Sequence, residues 1–368
     1  MSRRGSNIYK RADGRYEGRI KIGYDENRKL RYKYVYGKTL SEVKEKMEQS
    51  YSLKKAEHKP FLKLTVKEVC SEWLESKRLT VKQSTYANYF RLLKNHIYPL
   101  LGGQAYSLLS KKQLNAFISE LVSCGRKDGK GGLSSKTVKD IFIVLKSVAV
   151  YAHREYGFEN ICADVKSPKV RNTELKVLSE HEIRKLNLYI RHNLDRVNLC
   201  ILICLYTGIR IGEMCGLKWE NVNLQEGFIV INKTVQRISM GKGTSEIVVD
   251  VPKTESSVRT VFMPEFLTKI IGDFKRSPSI YVLSGLNIPK EPRILQYRFK
   301  KVLKDCGIRD VPFHSLRHTY ASLCIKKGFD VKALSELLGH STVNLTLDRY
   351  VHTSDEIKKS YVSGLLLT

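Results

Sequence analysis

Between Val311 and Tyr350 the chain reads VPFHSLRHTYASLCIKKGFDVKALSELLGHSTVNLTLDRY, which concentrates side chains able to hold phosphate and move protons. His314 and Arg317 stand three apart in a helix-compatible run, Ser315 to Lys326, so both project from one face. A second imidazole follows in Leu338-Gly339-His340, where Gly339 reads as a helix stop that turns His340 back toward the first helix. Tyr350 comes next. An imidazole and a guanidinium held together, a second imidazole and a phenol suit an anionic substrate attacked by tyrosine. Taken singly, each has a plainer reading. His314 is then a structural histidine, Arg317 a salt-bridge partner and Tyr350 one of 20 tyrosines. His318 shares the face of His314 and reads as packing.

Further reactive residues lie upstream. The apolar helix Val197 to Tyr206 runs into Thr207-Gly208-Ile209-Arg210-Ile211-Gly212-Glu213-Met214. An arginine placed after a buried helix and a tight glycine turn needs a partner, and either Glu213 or a phosphate could serve. Strands are expected at Phe228 to Ile231, Thr234 to Ile238, Glu246 to Val251 and Val258 to Phe262. Lys253, in Pro252-Lys253-Thr254-Glu255-Ser256-Ser257 between the last two, is expected at or near a hairpin tip.

With 368 residues the chain exceeds one core and implies two or three domains. Its 65 basic and 37 acidic residues leave a net charge of +28, which calls for a polyanionic partner, nucleic acid before an anionic membrane. The best apolar run, Val197 to Tyr206, is too short to span a bilayer, and the basic N-terminus has no apolar core of a signal peptide. The eight cysteines form no CxxC pair and mostly occupy apolar helical runs, as expected in a reducing cytoplasm. Cys200 and Cys204 could share a helix face with a metal, but no His or Cys stands nearby at ligand spacing, and core packing is expected.

In chain order, residues 7 to 36 alternate like strands. Tyr16, Ile20 and Ile22 oppose Arg15, Arg19 and Lys21, while Leu30, Tyr32, Tyr34 and Tyr36 oppose Lys29, Arg31 and Lys33. Turns fit at Ala12-Asp13-Gly14 and Tyr24-Asp25-Glu26-Asn27, and a helix starts at Thr39 with Glu42 in a capping box and runs to about Lys55. The expected unit is a three-stranded sheet plus helix with one basic face, fit either for a DNA groove or simply for solvent. After a linker at His58-Lys59-Pro60 come helices from a capping box at Leu64-Thr65-x-x-Glu68 to Ser76, from Ser84 to Tyr98, from Ser110 to Ser123 and from Ser135 to Tyr156. Basic residues scattered over this bundle suit phosphate contacts, which set register but not sequence choice. Past a linker near Pro168, Leu178-Ser179-Glu180-His181-Glu182 opens the last region, and helices resume at Pro264 and near Pro292.

The ordered set TGIRIGE at Thr207 to Glu213, PKTESSVRT at Pro252 to Thr260, HSLRHTYAS at His314 to Ser322, LGHS at Leu338 to Ser341, and Tyr350 resembles the signature of the tyrosine recombinases, the phage-integrase family. The resemblance implies a mainly α fold with small β elements. Its parts are an arm-type DNA-binding domain at 1–58, a helical core-site-binding domain at 62–165, and a mixed α+β catalytic domain with C-terminal tail at 174–368. Arg210 and Arg317 match the arginines that clamp the scissile phosphate, and His314 and His340 the imidazoles that donate to its oxygens or handle protons. Lys253 matches the lysine that protonates the departing 5′ oxygen, Tyr350 the nucleophile, and Glu213 a supporting acid. Arg15, Arg19, Lys21, Arg31 and Lys33 are the expected DNA contacts of the sheet.

On this reading the protein integrates and excises a mobile element through a 3′-phosphotyrosine. It acts as a tetramer on double-stranded DNA through a Holliday junction, with no metal or other cofactor and no membrane partner, and an excisionase or DNA-bending accessory protein could be a further partner. The apolar tail, Ile357, Tyr361, Val362 and Leu365 to Leu367, fits packing in cis or on a neighbouring protomer. Competing readings are a dimer resolvase of the same family, a type IB-like topoisomerase and a non-catalytic DNA-binding regulator.

Overall fold

The computed structural model describes residues 7–24, 30–57, 63–166, 169, 176–239, 245–251, 258–274, 276–340, 342–344 and 346–347, with backbone alone at 21–24, 30–31 and 51–57. The chain divides into two compact units, Met1–Arg171 and Asn172–Thr368. Lys253, Tyr350 and the tail lie outside the described residues.

In the first unit β1 (Ile8–Lys10), β2 (Tyr16–Tyr24) and β3 (Leu30–Gly37) form an antiparallel sheet in that order, followed by α1 (Leu40–Glu57). Thr39 starts the helix, its hydroxyl accepting the Glu42 N–H, while the Glu42 carboxylate accepts the N–H of Lys38, one residue earlier than a capping box would have it. Ile20, with Ile8, Tyr16 and Val35 beside it, packs on Val43 and Met47 of α1. Gly18 makes this seat possible, because a Cβ there would stand 2.5 Å from the Met47 sulfur.

The alternation expected in β3 is reversed. Tyr34 pairs with Arg19, and Tyr32, Tyr34 and Tyr36 are exposed, whereas Lys33 pairs with Ile20 and takes the helix side. Val35 fits beneath the helix, and the tyrosine rings are used on the open face to stack guanidiniums.

The same unit continues with α2 (Val66–Lys77), α3 (Gln83–Leu92), a π-helical segment (Leu93–Ile97), α4 (Tyr98–Leu101), α5 (Lys111–Cys124) and α6 (Ser135–Tyr156). Thr65 and Glu68 make the expected reciprocal cap on α2, and Ser110 with Gln113 does the same on α5. The single helix expected from Ser84 to Tyr98 is wider-wound at its end. Pro99 has no N–H for the Asn95 carbonyl, and the π segment leads into that proline. Trp73 anchors the bundle core and donates its indole N–H to Ser147.

The second unit holds α7 (Glu180–His192), α8 (Arg196–Thr207), α9 (Ile211–Gly216), β4 (Val222–Asn223), β5 (Phe228–Ile231), β6 (Thr234–Ser239), β7 (Ser245–Asp250), β8 (Arg259–Phe262), α10 (Glu265–Gly272), α11 (Pro292–Asp305), α12 (Ser315–Lys326) and α13 (Val331–Leu338). Buried from Asn198 to Leu205, α8 is the central rod of the core. Burial pushes the Cys200 and Cys204 thiols well above their ordinary range, which fits packing and not ligation.

Strands β4, β5 and β8 form one sheet and β6 with β7 another. The strands flanking Lys253 therefore do not pair with each other, contrary to the expected hairpin tip. β7 ends its pairing with β6 at Asp250, the partner of Thr234, and β8 begins its pairing with β5 at Arg259, the partner of Ile231; Lys253 itself lies outside the described residues. Two strands with alternating patterns close in sequence look alike whether they pair together or elsewhere. Among the described residues no helix is long and apolar enough to cross a membrane.

Candidate active site

Helix α8 ends at Gly208, which takes a left-handed φ of 64° and returns its N–H to the Cys204 carbonyl. A side chain there would strike the Tyr320 ring of α12 at 2.4 Å, so the glycine also permits the close passage of α12. The turn delivers Arg210 to the N-cap of α9, where its backbone N–H donates to Glu213 Oε2 and its Nη1 to Glu213 Oε1, both at 2.8 Å. Of the two partners the sequence left open for Arg210, the carboxylate is in place.

Glu213 is 4% exposed and accepts two further bonds, from Arg259 Nη1 at 3.1 Å and Nη2 at 2.8 Å. Burial pushes its carboxyl upward, but the hydrogen bonds and charge of Arg259, followed by those of Arg210, outweigh that and hold it at about 2. It is therefore a fixed anion between two guanidiniums.

Three arginines converge on the C-terminus of α13, each on a successive carbonyl. Arg259 Nε donates to Leu337 at 2.7 Å, Arg317 Nη2 to Leu338 at 2.6 Å, and Arg210 Nη2 to Gly339 at 2.9 Å. Such carbonyls lack partners inside the helix and carry the negative end of its dipole, so guanidiniums suit them. Arg317 also reaches back to the Gly208 carbonyl at 2.8 Å, tying α12 to the turn that carries Arg210. Arginines from α9 and α12, more than 100 positions apart in sequence, are thereby held on adjacent carbonyls.

Gly339 adopts φ 62° and ψ 50°, the helix stop expected, and His340 follows it. The His340 N–H bonds to the Ser335 carbonyl at 3.0 Å, and its Nδ1 lies 2.7 Å from the hydroxyl of Thr346, which is fully buried. That contact fixes the ring and turns Nε2 away from Thr346. His314 occupies the exposed N-cap of α12, edge-on to His318 with ring centroids 4.6 Å apart. His318, 9% exposed, is a packing residue, as expected. Thr319, in the same turn, accepts the N–H of Leu178 and donates to the Ser315 carbonyl, which pins the start of the unit onto α12.

The structure thus brings together Arg210, Glu213, Arg317 and His340 and places His314 on the helix that carries Arg317. Arg259 stands inside one of the sequence motifs, which gives it no role by themselves. Its signal is a guanidinium at the head of the short strand Arg259–Phe262, where burial demands an acid as partner. Among the described residues no group of three or more His, Cys, Asp or Glu side chains is arranged to hold a metal ion.

On the N-terminal sheet Arg19 lies 4.8 Å from the Tyr9 ring centroid and 5.7 Å from that of Tyr34, and Arg11 stacks on Tyr36. Arg11 and Arg19 also pair with Glu17 between them. Arg15 instead folds onto Asp13 in the first turn, and Lys33 lies on the helix side. The side chains of Lys21 and Arg31 are outside the described residues.

This site stands in a recognisable class. The model described as the phage integrase family matches residues 176–356, and that described as the phage integrase N-terminal SAM-like domain matches residues 65–122. A tyrosine recombinase of Pseudothermotoga lettingae is 30% identical over 209 residues, 56% of this chain and 67% of that protein. The chain belongs to the phage integrase family of tyrosine recombinases, enzymes that cut and rejoin DNA site-specifically.

Some relatives match nearly the whole length of the chain. The tyrosine recombinase XerC-like protein of Caldanaerobacter subterraneus subsp. tengcongensis is 27% identical over 98% of each chain. The ICEBs1 integrase of Bacillus subtilis is 23% identical over 97% of this chain and 98% of its own. In fold it is similar to the Tn1549 transposon integrase in complex with a circular intermediate DNA, with a TM-score of 0.66 and 21% identity over 82% of this chain and all of that one.

Proposed function

We propose that this recombinase is the integrase of a mobile element, and that Arg210, Arg317, His314, His340, Lys253 and Tyr350 perform its chemistry. The observation that carries the site assignment is the seating of Arg210 and Arg317 on adjacent carbonyls at the end of α13, next to His340. Two guanidiniums fixed this way bind the nonbridging oxygens of a phosphodiester and stabilise the charge that gathers there as the phosphorus becomes five-coordinate. His314 and His340 donate to the same oxygens or shuttle protons.

The Tyr350 oxygen attacks the phosphorus, a 3′-phosphotyrosine ester forms, and the 5′ oxygen leaves with a proton from Lys253. Because an ordinary tyrosine titrates near pH 10, a cationic pocket favours phenolate character at attack. The ester keeps the energy of the broken bond. The 5′ hydroxyl of a partner strand reverses the step and completes exchange, and this chemistry calls for neither ATP nor a metal. Glu213 supports the clamp without entering the transfer.

The helical bundle at 62–165 and the unit at 174–368 would grip the core site. The N-terminal sheet at 1–58 would read a second, arm-type site with the Arg11, Arg19 and tyrosine face. Four protomers on two duplexes, working in the cytoplasm, would pass through a Holliday junction. The whole-length similarity to the ICEBs1 integrase supports a mobile-element role. The test is recombination in vitro between a circular junction of the candidate element and a target duplex, each carrying its attachment sequence. Intermolecular products with wild type and none with Tyr350→Phe are expected. Products confined to two sites on one molecule would favour a resolvase.

A further inference from the structure

Arg259 is 6% exposed at its side chain, and it reaches two elements other than its own strand. Both Nη atoms bond the Glu213 carboxylate, which lies 46 positions away and seats Arg210. Nε bonds the carbonyl of Leu337, 78 positions away, in the last turn before His340. The guanidinium also lies flat against the Gly339 turn, where an added Cβ would stand 3.0 Å from its Cδ and Nη1.

We propose that Arg259 is a positioning residue for the recombination chemistry. It spaces the phosphate clamp from the imidazole by bolting the acid that holds Arg210 to the turn that delivers His340. This rests on the catalytic reading above. Its Nε and both Nη atoms already bond Leu337 and Glu213, which assigns it to holding the site together, whereas the Arg210 side chain is 37% exposed and open to a substrate. The role needs a planar fork that addresses a carboxylate with one edge and a carbonyl with Nε. A lysine supplies the charge but only one direction at a time. If Arg259 merely neutralised Glu213, lysine would serve equally well.

The experiment is single-turnover formation of covalent adduct on a nicked duplex that traps the intermediate. Wild type, Arg259→Lys and Arg259→Ala are compared, with DNA affinity and thermal midpoint measured on the same samples. Arg259→Lys should fold, bind DNA with unchanged Kd, and cleave about 10- to 100-fold more slowly at saturating DNA, the size of loss typical when a support behind the reacting groups is removed. Adding guanidinium at millimolar concentration to Arg259→Ala should restore part of the rate, because the ion fits the space left beside Glu213.

An Arg259→Lys rate equal to wild type at saturating DNA, or a loss seen only in Kd, would overturn the inference. If wild type itself formed no adduct, the catalytic reading would fall and this inference with it.

Discussion

Replacing Glu213 by glutamine removes the one anion that two guanidiniums share. The carboxylate is 4% exposed and accepts four hydrogen bonds, two from Arg210 and two from Arg259. Its titration is held at about 2, against an ordinary 4.5. At about 1.4 kcal/mol per pH unit, that displacement stabilises the folded state by about 3 kcal/mol at neutral pH. The folded-state value lies below the unfolded one. The contribution is therefore complete well above pH 4.5 and is lost as the pH falls toward 2, with less than half of it left at pH 3.

A glutamine cannot titrate, and its amide N–H groups would face arginine donors. Denaturant unfolding followed by tryptophan fluorescence reads this directly. The two tryptophans, Trp73 and Trp219, fall one in each compact unit, so Trp73→Phe isolates the second. In that background Glu213→Gln should lower the unfolding free energy by about 3 kcal/mol at pH 7 and by under half of that at pH 3. A loss independent of pH, or absent at pH 7, would refute the description of Glu213 as a buried anion shared by two arginines.

Other perturbations separate the parts. Gly208→Ala puts a Cβ 2.4 Å from the Tyr320 ring at a φ of 64°, so α8 and α12 must move apart. Destabilisation of about 2 kcal/mol by thermal unfolding is expected, with adduct formation slowed more than 10-fold as Arg317 loses its seat on the Gly208 carbonyl, in the range found when one oxyanion donor is lost. Arg19→Ala should weaken binding to an arm-type duplex in a filter or anisotropy assay and lower its salt dependence by about one contact, while cleavage of a core-only duplex stays unchanged. Thr65→Ala deletes the cap of α2 and should cost about 1 kcal/mol of stability in thermal unfolding, without altering the cleavage rate of the folded enzyme.

Much of the fold is legible because local chemistry and tertiary packing agree where caps are strong. Helix α6 begins and ends where its sequence says, between the Ser134 cap and the left-handed Gly157. The stop at Gly339 likewise turns His340 as expected. Helix α3 ends early because the effect of Pro99 reaches back through a hydrogen-bond ladder that periodicity does not register.

The tyrosine side of β3 is not legible, because an amphipathic ring satisfies an alternation pattern equally well as core or as a stacking platform. Only the register with Arg19 decides between them. The segment around Lys253 mimics a hairpin tip because strand pairing is a long-range choice; β8 selects β5 and leaves β7 to β6. Arg259 gains its role only in the fold, since its partners, Glu213 and Leu337, are distant in sequence, and spacing rules see only neighbours within a turn or two.

The central claim, that this chain cuts DNA with Tyr350 under a clamp of Arg210 and Arg317, is tested most directly by a denaturing gel for covalent protein–DNA adduct. The substrate is a nicked duplex carrying the element's junction, with EDTA present, and wild type is run beside Tyr350→Phe. An adduct with wild type alone, lost on protease digestion and carrying the DNA 3′ phosphate on Tyr350, is the result expected. Intact binding with no wild-type adduct, or an equal adduct from Tyr350→Phe, would contradict the account.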